Sequence, residues 1–408
     1  MSQDTSRTQS GRRPEGRVGD PGYLRKLNLA ALTRALLEAV APLTVSDVRS
    51  VVGVSRPTAE ELLTVLLRQG LVRETPVGPD GGRSGGRPAR RYELVAERFV
   101  VAGVDIGAHK VAVALCDLRG TVLAVRRRGV DPGLGAAERV EAAARLVRVA
   151  IRESGTDRDH VRAVACGITG VLANGTTVVD IRNLPAGRDL NVYSLPGFDR
   201  IDVVAQVKEC FERDVLIAND IQAAAVAEQW RGAATRARDL VYMHAGRRLG
   251  AAILINGRIH HGRRGLAASV GSMTLLGWPE AMTALDRAAL DLAGSTAAQA
   301  TGDDVEALFR AAGTGDPAAV RIVDGVAEAL AVGASTLVHA VDPDLVVLGG
   351  GLSRAGDVLA VPFERHFAAT SLNSPEIRVS LLGDESVALG AARLALDDLK
   401  ALMLAVQT

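Results

Sequence analysis

Arginine side chains at two places in the first quarter of the chain have the chemistry to bind nucleic acid. One of them follows Ser55 in the segment VSRPTAEELL, and four more lie among glycines in the segment GPDGGRSGGRPARR. A guanidinium group donates paired hydrogen bonds to phosphate oxygens and to the edge of guanine. The candidate DNA-contacting residues in and beside these segments are Ser55, Arg56, Thr58, Ala59, Arg83, Arg87, Arg90 and Arg91.

The excess of positive charge likewise lies in the first part of the chain. Residues 1–95 contain 15 Arg or Lys against 10 Asp or Glu, whereas residues 96–408 contain 33 against 37, so the net charge of +1 conceals a basic first part. A basic module on a weakly acidic body is typical of a protein that meets phosphates. The alternative to DNA contact for the four arginines among glycines is that they lie in a solvated hairpin tip.

Glu60 either accepts a hydrogen bond from cytosine or faces Arg56, and we expect the second.

The pair Asn219-Asp220 could bind a ligand in the second part of the chain. It follows the apolar segment VLIA and precedes the segment IQAAAVAE, so it lies where a strand ends. A carboxylate and an amide at this point can hydrogen-bond the hydroxyl groups of a ligand. The same pair can instead serve as the cap of the following helix. Both alternatives remain open.

Metal and disulfide chemistry have little support in the sequence. Cys116, Cys166 and Cys210 are far apart and show neither CxC nor CxxC spacing. His260 and His261 are adjacent but lack the remaining ligands of a tetrahedral site. We therefore expect no disulfide framework, no metal site and a reducing compartment.

Five short elements precede residue 97. Apolar residues at helical spacing predict a first helix over 24–40, and Thr44 can cap a second over 45–52, which stops at Gly53. Ser55 can cap a third helix with a proline in its first turn. The segments LVRETPV and RRYELVA predict a hairpin. This order predicts a winged helix-turn-helix over residues 23–97, behind a disordered basic tail over 1–22. A small helical domain with a flexible linker is the alternative.

The pattern of predicted secondary structure changes at Phe99. Three consecutive strands are predicted in FVVAGVDIG, KVAVALCDL and TVLAVRRRGV, followed by a helix over 136–153 and a strand over 161–168. Alternating helices and strands then continue to the C-terminus, which predicts an α/β domain over 98–408. No apolar run approaches roughly 18 residues, and the N-terminus lacks the apolar region of a signal peptide. We expect a cytoplasmic protein, associated with the nucleoid, that has no membrane partner.

The chain resembles the ROK family (repressor, open reading frame, kinase), in particular its regulators with an N-terminal winged helix-turn-helix. The resemblance runs over about residues 24–400, and it rests on the order and spacing of several motifs. The matching segments are VSRPTAEELL, GGRPA, GVDIGAHK, NLP at 183–185, ANDIQAAAVAE, DPDLVVLGGGLS and ALGAARLAL.

This resemblance implies an actin-like fold of two lobes for the second part. It implies that Asp220 occupies the position of the catalytic aspartate, which in active members accepts a proton from a sugar hydroxyl. It also implies a ligand-binding pocket, whose candidate residues here are Asn183, Asn219, Asp220 and Ser269.

Departures from the family pattern argue against kinase activity. Residues 107–110 read GAHK instead of a GGTK-like turn, and residues 246–248 read GRR where small residues let a phosphate approach. The arginines could still bind an anion. The Glu and the zinc-binding His of the AGExGH segment are replaced by Ser269 and Ser272, and the cysteine cluster that normally follows is absent. We therefore expect no catalytic residue, with Asp220 vestigial, no cofactor and no zinc.

Three functions remain open: a ligand-responsive transcriptional repressor, a sugar kinase with an accessory DNA-binding module, and a regulator that responds to no small molecule. The complete helix-turn-helix pattern beside altered phosphate loops favours the first. Its partners would be double-stranded operator DNA, a sugar or other small-molecule effector, and a second copy of the chain in a homodimer or a dimer of dimers.

Overall fold

The structure, a computed structural model, is divided by its contacts into two units. One unit comprises Met1–Arg98 with Asp398–Thr408, and the other comprises Phe99–Asp397. The residues that the structure describes are 21–75, 90–170, 201–212, 215–263, 265–296, 300–372 and 374–405, with isolated residues between 172 and 198.

The N-terminal unit contains three helices and a small antiparallel sheet. Its elements in order are α1 (Pro21–Glu38), β1 (Leu43–Thr44), α2 (Val45–Val52), α3 (Arg56–Arg68), β2 (Val72–Thr75) and β3 (Arg91–Leu94). The strand order is β1-β3-β2, with Leu43 opposite Tyr92 and Val72 opposite Leu94. The helices and the hairpin strands were predicted, but β1 was not, because two residues are too short for a recognisable pattern. The helix α1 begins at Pro21, inside the predicted tail.

Local caps start and stop the second and third helices. The Thr44 hydroxyl accepts from the backbone N–H of Asp47 at 3.2 Å, and the Asp47 carboxylate accepts from the backbone N–H of Thr44 at 2.8 Å. This reciprocal capping box satisfies two donors that a helix start leaves open. Gly53 ends α2 in the left-handed region with φ of 75°, and Ser55 caps α3. These predicted helix boundaries are confirmed.

The second unit begins with a five-stranded sheet in the order β10-β7-β4-β5-β6. Strands β4, β5 and β6, which were predicted as three consecutive strands, are antiparallel neighbours, whereas β7 runs parallel to β4 and β10 runs parallel to β7. The elements are β4 (Val100–Ile106), β5 (Lys110–Asp117), β6 (Val122–Gly129), α4 (Ala136–Glu153), β7 (Val161–Ile168), β8 (Leu172–Ala173), β9 (Thr177–Val178), α5 (Val203–Phe211), β10 (Val215–Asn219) and α6 (Asp220–Arg231).

A second five-stranded sheet follows in the order β13-β12-β11-β14-β15. Its strands β11 and β12 are antiparallel, and β14 runs parallel to β11. The elements are β11 (Leu240–Ala245), β12 (Leu249–Ile255), β13 (Arg258–Ile259), α7 (Trp278–Ala293), α8 (Gly302–Gly313), α9 (Pro317–Val341), β14 (Leu345–Gly349), α10 (Asp357–Thr370), β15 (Glu376–Val379) and α11 (Ser386–Leu404).

The helices α6 and α11 pack closely against each other and against the sheets. A Cβ atom placed on Gly103 of β4 would lie 2.0 Å from the carbonyl oxygen of Ala388, and one on Gly390 would lie 1.7 Å from that of Ala223. A Cβ atom on Gly250 of β12 would lie 2.2 Å from Ile221. At Gly103 and Gly390 the neighbour is backbone, so only glycine permits the approach of α11 to β4 and to α6. At Gly250 the neighbour is the end of the Ile221 side chain.

One helix among the described residues, α9, is long and apolar enough by length and composition to cross a membrane. In the protein, 61% of its most apolar window is buried, and residues such as Leu330 and Val338 belong to the core of the second unit. The core helix of a folded domain passes the same test of length and composition.

Candidate functional site

The start of α3 carries the first group of predicted residues. The Ser55 hydroxyl lies 2.8 Å from that of Thr58, and both are engaged at the helix cap. Arg56 is exposed over 70% of its side chain, and its Nε atom donates to the Glu60 carboxylate at 2.9 Å. The prediction that Glu60 faces Arg56 is confirmed. A guanidinium group at an exposed helix start can exchange this partner for a phosphate or a base.

The prediction that Ala59 contacts DNA is wrong. Ala59 is fully buried and shares the core face of α3 with Leu62, Leu63 and Leu66. Residues three, four and seven apart lie on one face of a helix, so Ala59 turns inward with the leucines. The spacing of Ala59 from these leucines was the signal, present in the sequence, that it lies in the core.

Two of the four hairpin arginines lie in the described part of the chain. Arg90 is exposed and its Nη1 atom is 3.0 Å from the Glu74 carboxylate across the hairpin. Arg91 begins β3, where it pairs with Thr75 of β2, and its side chain is exposed. Arg83 and Arg87 lie outside the described residues, so their part in DNA binding stays a prediction.

In the second unit, Asn219 and Asp220 lie where β10 ends and α6 begins. The Asn219 side chain accepts from the backbone N–H of Gln222 at 3.1 Å and donates to the carbonyl of Gly170 at 2.8 Å. The Asp220 carboxylate accepts from the Thr169 hydroxyl at 2.6 Å. Asn219 is therefore a helix cap. The Asp220 carboxylate also accepts from the backbone N–H of Ile221 at 2.9 Å and from the Asn219 amide at 3.2 Å. Because a carboxylate has about four acceptor sites, one is left for a ligand hydroxyl.

Close to Asp220 lies a buried carboxyl group that the sequence analysis did not single out. Asp105 on β4 is only 4% exposed, and the Lys110 ammonium lies 3.9 Å from it and 3.0 Å from Asp384. Burial raises the pKa of Asp105 to about 7; the positive charge of Lys110 opposes the shift, and the negative charges of Asp220 and Asp384 reinforce it. An acidic residue inside the apolar strand VVAGVDI was the available signal.

His244 on β11 belongs to the same cluster of charges. Burial lowers its pKa; the carboxylate of Asp220 opposes this shift and the ammonium of Lys110 reinforces it. Its Nδ1 atom is shielded from solvent and has no hydrogen-bond partner among the described residues. A neutral imidazole can both donate and accept, so His244 is a candidate ligand contact that was not predicted. A histidine within the otherwise apolar strand LVYMHA was the signal.

The two turns that differ from the family pattern carry long side chains. Partial burial lowers the pKa of His109, and the positive charges of Arg247, Arg139 and Arg248 lower it further. The turn after β4 and the turn after β11 are therefore near enough for their charges to interact.

The buried side chain of Arg139 hydrogen-bonds to the backbone of the turn after β4. It is fully buried on α4, and its Nη1 atom donates to the carbonyls of Gly107 and Ala108, each at 2.7 Å. Its Nη2 atom donates to three further carbonyls, at residues 131, 132 and 134. A buried guanidinium group with carbonyl partners fixes the backbone that surrounds it.

Two predicted ligand-binding residues remain, Ser269 and Asn183. Ser269 is half-buried and immediately precedes the short 3-10 helix Val270–Ser272. Asn183 lies outside the described residues, so its proximity to Asp220 stays a prediction.

A Cβ atom on Gly349 or on Gly350 would strike Tyr242 or the backbone of Ala245 at 2.4 to 2.5 Å. These two glycines therefore serve packing between β11 and β14.

A family model for the ROK family matches residues 101–398. The chain belongs to the ROK family. Over 410 residues it is 22% identical to the xylose repressor of Caldicellulosiruptor bescii, an alignment that covers 94% of this ROK protein and 98% of the repressor. It is 30% identical over 206 residues to the glucokinase of Halalkalibacterium halodurans, covering 43% of this chain and 62%, less than two thirds, of the glucokinase.

The likeness to solved structures extends over both units of this ROK protein. The crystal structure of a ROK family transcriptional regulator, a homologue of the E. coli MLC protein, aligns with a TM-score of 0.63 and 18% identity. The alignment covers 94% of this chain and 98% of that one. At this identity the likeness shows a shared fold.

Proposed function

We propose that this ROK protein is a DNA-binding transcriptional repressor that responds to a sugar or a related metabolite, and that its kinase activity has been lost. The observation that carries the proposal is the alignment with the xylose repressor along nearly the full length of both proteins. That alignment includes the N-terminal helical unit, which lies outside the residues matched by the family model.

The N-terminal unit supports DNA binding through its element order. Helix α2, a turn through Gly53 and helix α3 are followed by the hairpin of β2 and β3, which is the order of a winged helix-turn-helix. In such a domain the second helix of the motif enters the major groove with its N-terminal residues leading. We assign Ser55, Arg56 and Thr58 to this surface. Arg90, Arg91 and, by sequence, Arg83 and Arg87 would follow the phosphate backbone.

The sensor would be the cluster at the end of β10. Asp220, fixed by Thr169, supplies an acceptor for a sugar hydroxyl, and the neutral imidazole of His244 supplies a second polar contact. We include Asn183 and Ser269 on the strength of their positions in the sequence, and Asn219 because, while it caps α6, its amide also holds Asp220. An effector that binds two conformations of the protein with different affinity shifts their populations and thereby alters operator binding.

A sugar kinase with a DNA-binding module is the second candidate. The glucokinase alignment favours it, and so does the retained carboxylate of Asp220. Against it stand His109 and the two arginines at 247 and 248, because these turns carry long side chains where the family pattern has small residues that let phosphates approach. The first proposal is therefore preferred.

The test uses the full chain and the DNA upstream of its own gene. We expect saturable binding of a site with two related halves, as one reading helix per chain in a homodimer requires, and a change in affinity with one member of a sugar panel. Sedimentation should give at least a dimer. Binding no tighter than to random DNA at the same salt concentration would refute the proposal. Steady ATP-dependent phosphorylation of any sugar in the panel would favour the kinase.

A further inference from the structure

Three cationic side chains of the second unit converge on one carboxylate, that of Asp384. This residue lies in the 3-10 helix Gly383–Glu385, between β15 and α11. Its carboxylate lies 3.0 Å from Lys110 Nζ and 3.4 Å from Arg127 Nη1, and its backbone carbonyl accepts from Lys110 Nζ at 2.8 Å. Lys110 begins β5 and Arg127 lies on β6, so both cations belong to the first sheet.

Arg354 reaches the same carboxylate from the side of the second sheet. It lies in the 3-10 helix Gly351–Ala355, which follows β14, and its Nη1 atom is 3.1 Å from Asp384. Its Nη2 atom holds Glu306 of α8 at 2.6 Å. A continuous series of ion pairs therefore runs from the first sheet, through Asp384, to an element that follows the second sheet. We call the group of Asp384, Lys110, Arg127 and Arg354 the Asp384 latch.

The proposed sugar-binding cluster is likewise built from both sheets. Asp105 lies on β4 and Asp220 follows β10, both in the first sheet, whereas His244 lies on β11 of the second. The Lys110 ammonium belongs to the cluster and to the latch, since it lies 3.9 Å from Asp105 and 3.0 Å from Asp384. The separation of the two sheets therefore sets the distance between His244 and Asp220.

The strength of the latch depends on salt. Its side chains are partly exposed, from 28% for Asp384 to 68% for Arg127. At physiological ionic strength, dissolved ions screen such charges over about 8 Å. A network of several charges nevertheless holds better than an isolated exposed pair. If Asp384 were neutral, its three cationic partners would repel one another.

The backbone beside both halves of the latch can change conformation. Gly383 precedes Asp384 with φ of 54°, and Gly356 follows the 3-10 helix of Arg354 with φ of 56°. A Cβ atom on either glycine would meet nothing within 4 Å, so close packing does not hold these two positions. Hinges absorb motion at a few residues of this kind at the ends of elements.

From these contacts we propose that the Asp384 latch holds the two sheets of the second unit in the arrangement that the structure shows, and that its release separates His244 from Asp220. Screening by salt or neutralisation of Asp384 opens it. The latch goes beyond the proposed function, because it acts within the second unit and requires neither DNA nor a sugar.

The test measures the distance between two nitroxide spin labels in the full chain by pulsed electron paramagnetic resonance. The labels are attached at Arg152→Cys on α4, which packs on the first sheet, and at Glu328→Cys on α9, which packs on the second. Both positions are exposed. Cys210 is replaced by serine, and the buried Cys116 and Cys166 stay unlabelled. We expect one distance at low salt and a second, longer distance whose share grows as NaCl is raised.

Asp384→Asn should give the longer distance already at low salt and should abolish the response to NaCl. Asp397→Asn is the matched control, because Asp397 pairs at 2.8 Å with Arg393 on the same helix, α11. It should behave as the parent does. Arg354→Gln breaks the latch from its other side, so it replaces Asp384→Asn if that variant melts early. The two substitutions together should separate the sheets no further than Asp384→Asn alone.

Three results would overturn the latch. They are a parent distance that does not respond to salt, a distance in Asp384→Asn and Arg354→Gln that equals that of the parent, and an equal change in Asp397→Asn. None of these measurements depends on operator or effector binding, so the proposed function is tested separately.

Discussion

Arg56 illustrates how one exposed side chain connects the local structure of α3 to function. In the free protein its guanidinium group is held by Glu60 at 2.9 Å, both side chains being more than half exposed. Exposed pairs of this kind contribute little to stability, about 0 to 1 kcal/mol, so the guanidinium group is readily released to a stronger anionic partner. DNA supplies such partners in its phosphates and guanine edges.

We therefore expect Arg56→Ala to reduce operator affinity by about 1 to 3 kcal/mol and to relax sequence preference. Arg68→Ala is the control, because Arg68 is exposed at the opposite end of the same helix. Fluorescence anisotropy with the operator and with a scrambled duplex at one salt concentration measures both. Unchanged affinity and preference in Arg56→Ala would show that α3 does not read DNA by its N-terminus.

Asp105 leads to a prediction about pH and stability. Its pKa rises from 3.8 in the unfolded chain to about 7 when buried, so the folded protein keeps a proton that the unfolded chain has released. Stability from this group therefore falls as the pH rises from about 4 to about 7, by at most about 4 kcal/mol.

Asp105→Asn should remove this loss, because the amide does not ionise. We expect the variant to be more stable than the parent at pH 8 and to lose that advantage near pH 4, measured by urea unfolding at each pH. Asp291→Asn, at an exposed position of α7, should show no pH-dependent gain. A variant that is less stable than the parent at pH 8 would contradict the expectation.

At the scale of elements, the approach of α11 to α6 depends on Gly390. A Cβ atom there would lie 1.7 Å from the carbonyl oxygen of Ala223, whose backbone cannot move without shifting α6. Gly390→Ala should therefore lower the free energy of unfolding by about 3 kcal/mol or more.

A matched glycine on another helix separates packing from helix propensity. Gly325 lies within α9, and a methyl group added there would meet nothing within 4 Å, so Gly325→Ala should raise stability by about 0.5 to 1 kcal/mol. Thermal and urea unfolding compare the two variants. If both changed stability by the same amount, the close packing of α11 on α6 would not be what requires glycine.

At the scale of the whole molecule, the proposed sensor should be separable from DNA binding. Asp220→Ala removes the acceptor held by Thr169, so an effector that alters operator affinity of the parent, by about 5- to 150-fold, should lose its influence. Binding of the operator without effector should stay near normal. Thr169→Val, which removes only the hydrogen bond to Asp220, should give an intermediate response. An effector that acts equally on the parent and on Asp220→Ala with Asn183→Ala would place the sensor elsewhere.

We also expect the purified protein to lack stoichiometric zinc and kinase turnover. The sequence holds serines at 269 and 272, where the AGExGH segment of the family pattern has Glu and His, and arginines at 247 and 248. Elemental analysis and a coupled ATP assay over a sugar panel measure both properties. One zinc per chain, or turnover that disappears in Asp220→Asn, would contradict the respective expectation.

Local signals in the sequence were sufficient for most elements of this protein. Thr44 and Ser55 start helices, Gly53 stops one, and the helix over 136–153 and the strand over 161–168 lie where periodicity predicts them. These signals act between residues a few positions apart, so they can be read without the fold. The order of motifs likewise sufficed for membership of the ROK family.

Only the tertiary structure decided which side chains meet. The charges of Asp105, Lys110, Asp220, His244 and Asp384 act on one another although the residues span the second unit in sequence. The burial of Asp105, which no local pattern specifies, raises the pKa of its carboxyl group. The Asp384 latch also forms from strands and turns far apart in the chain. Such convergence depends on long-range packing, and a single sequence carries no direct record of it.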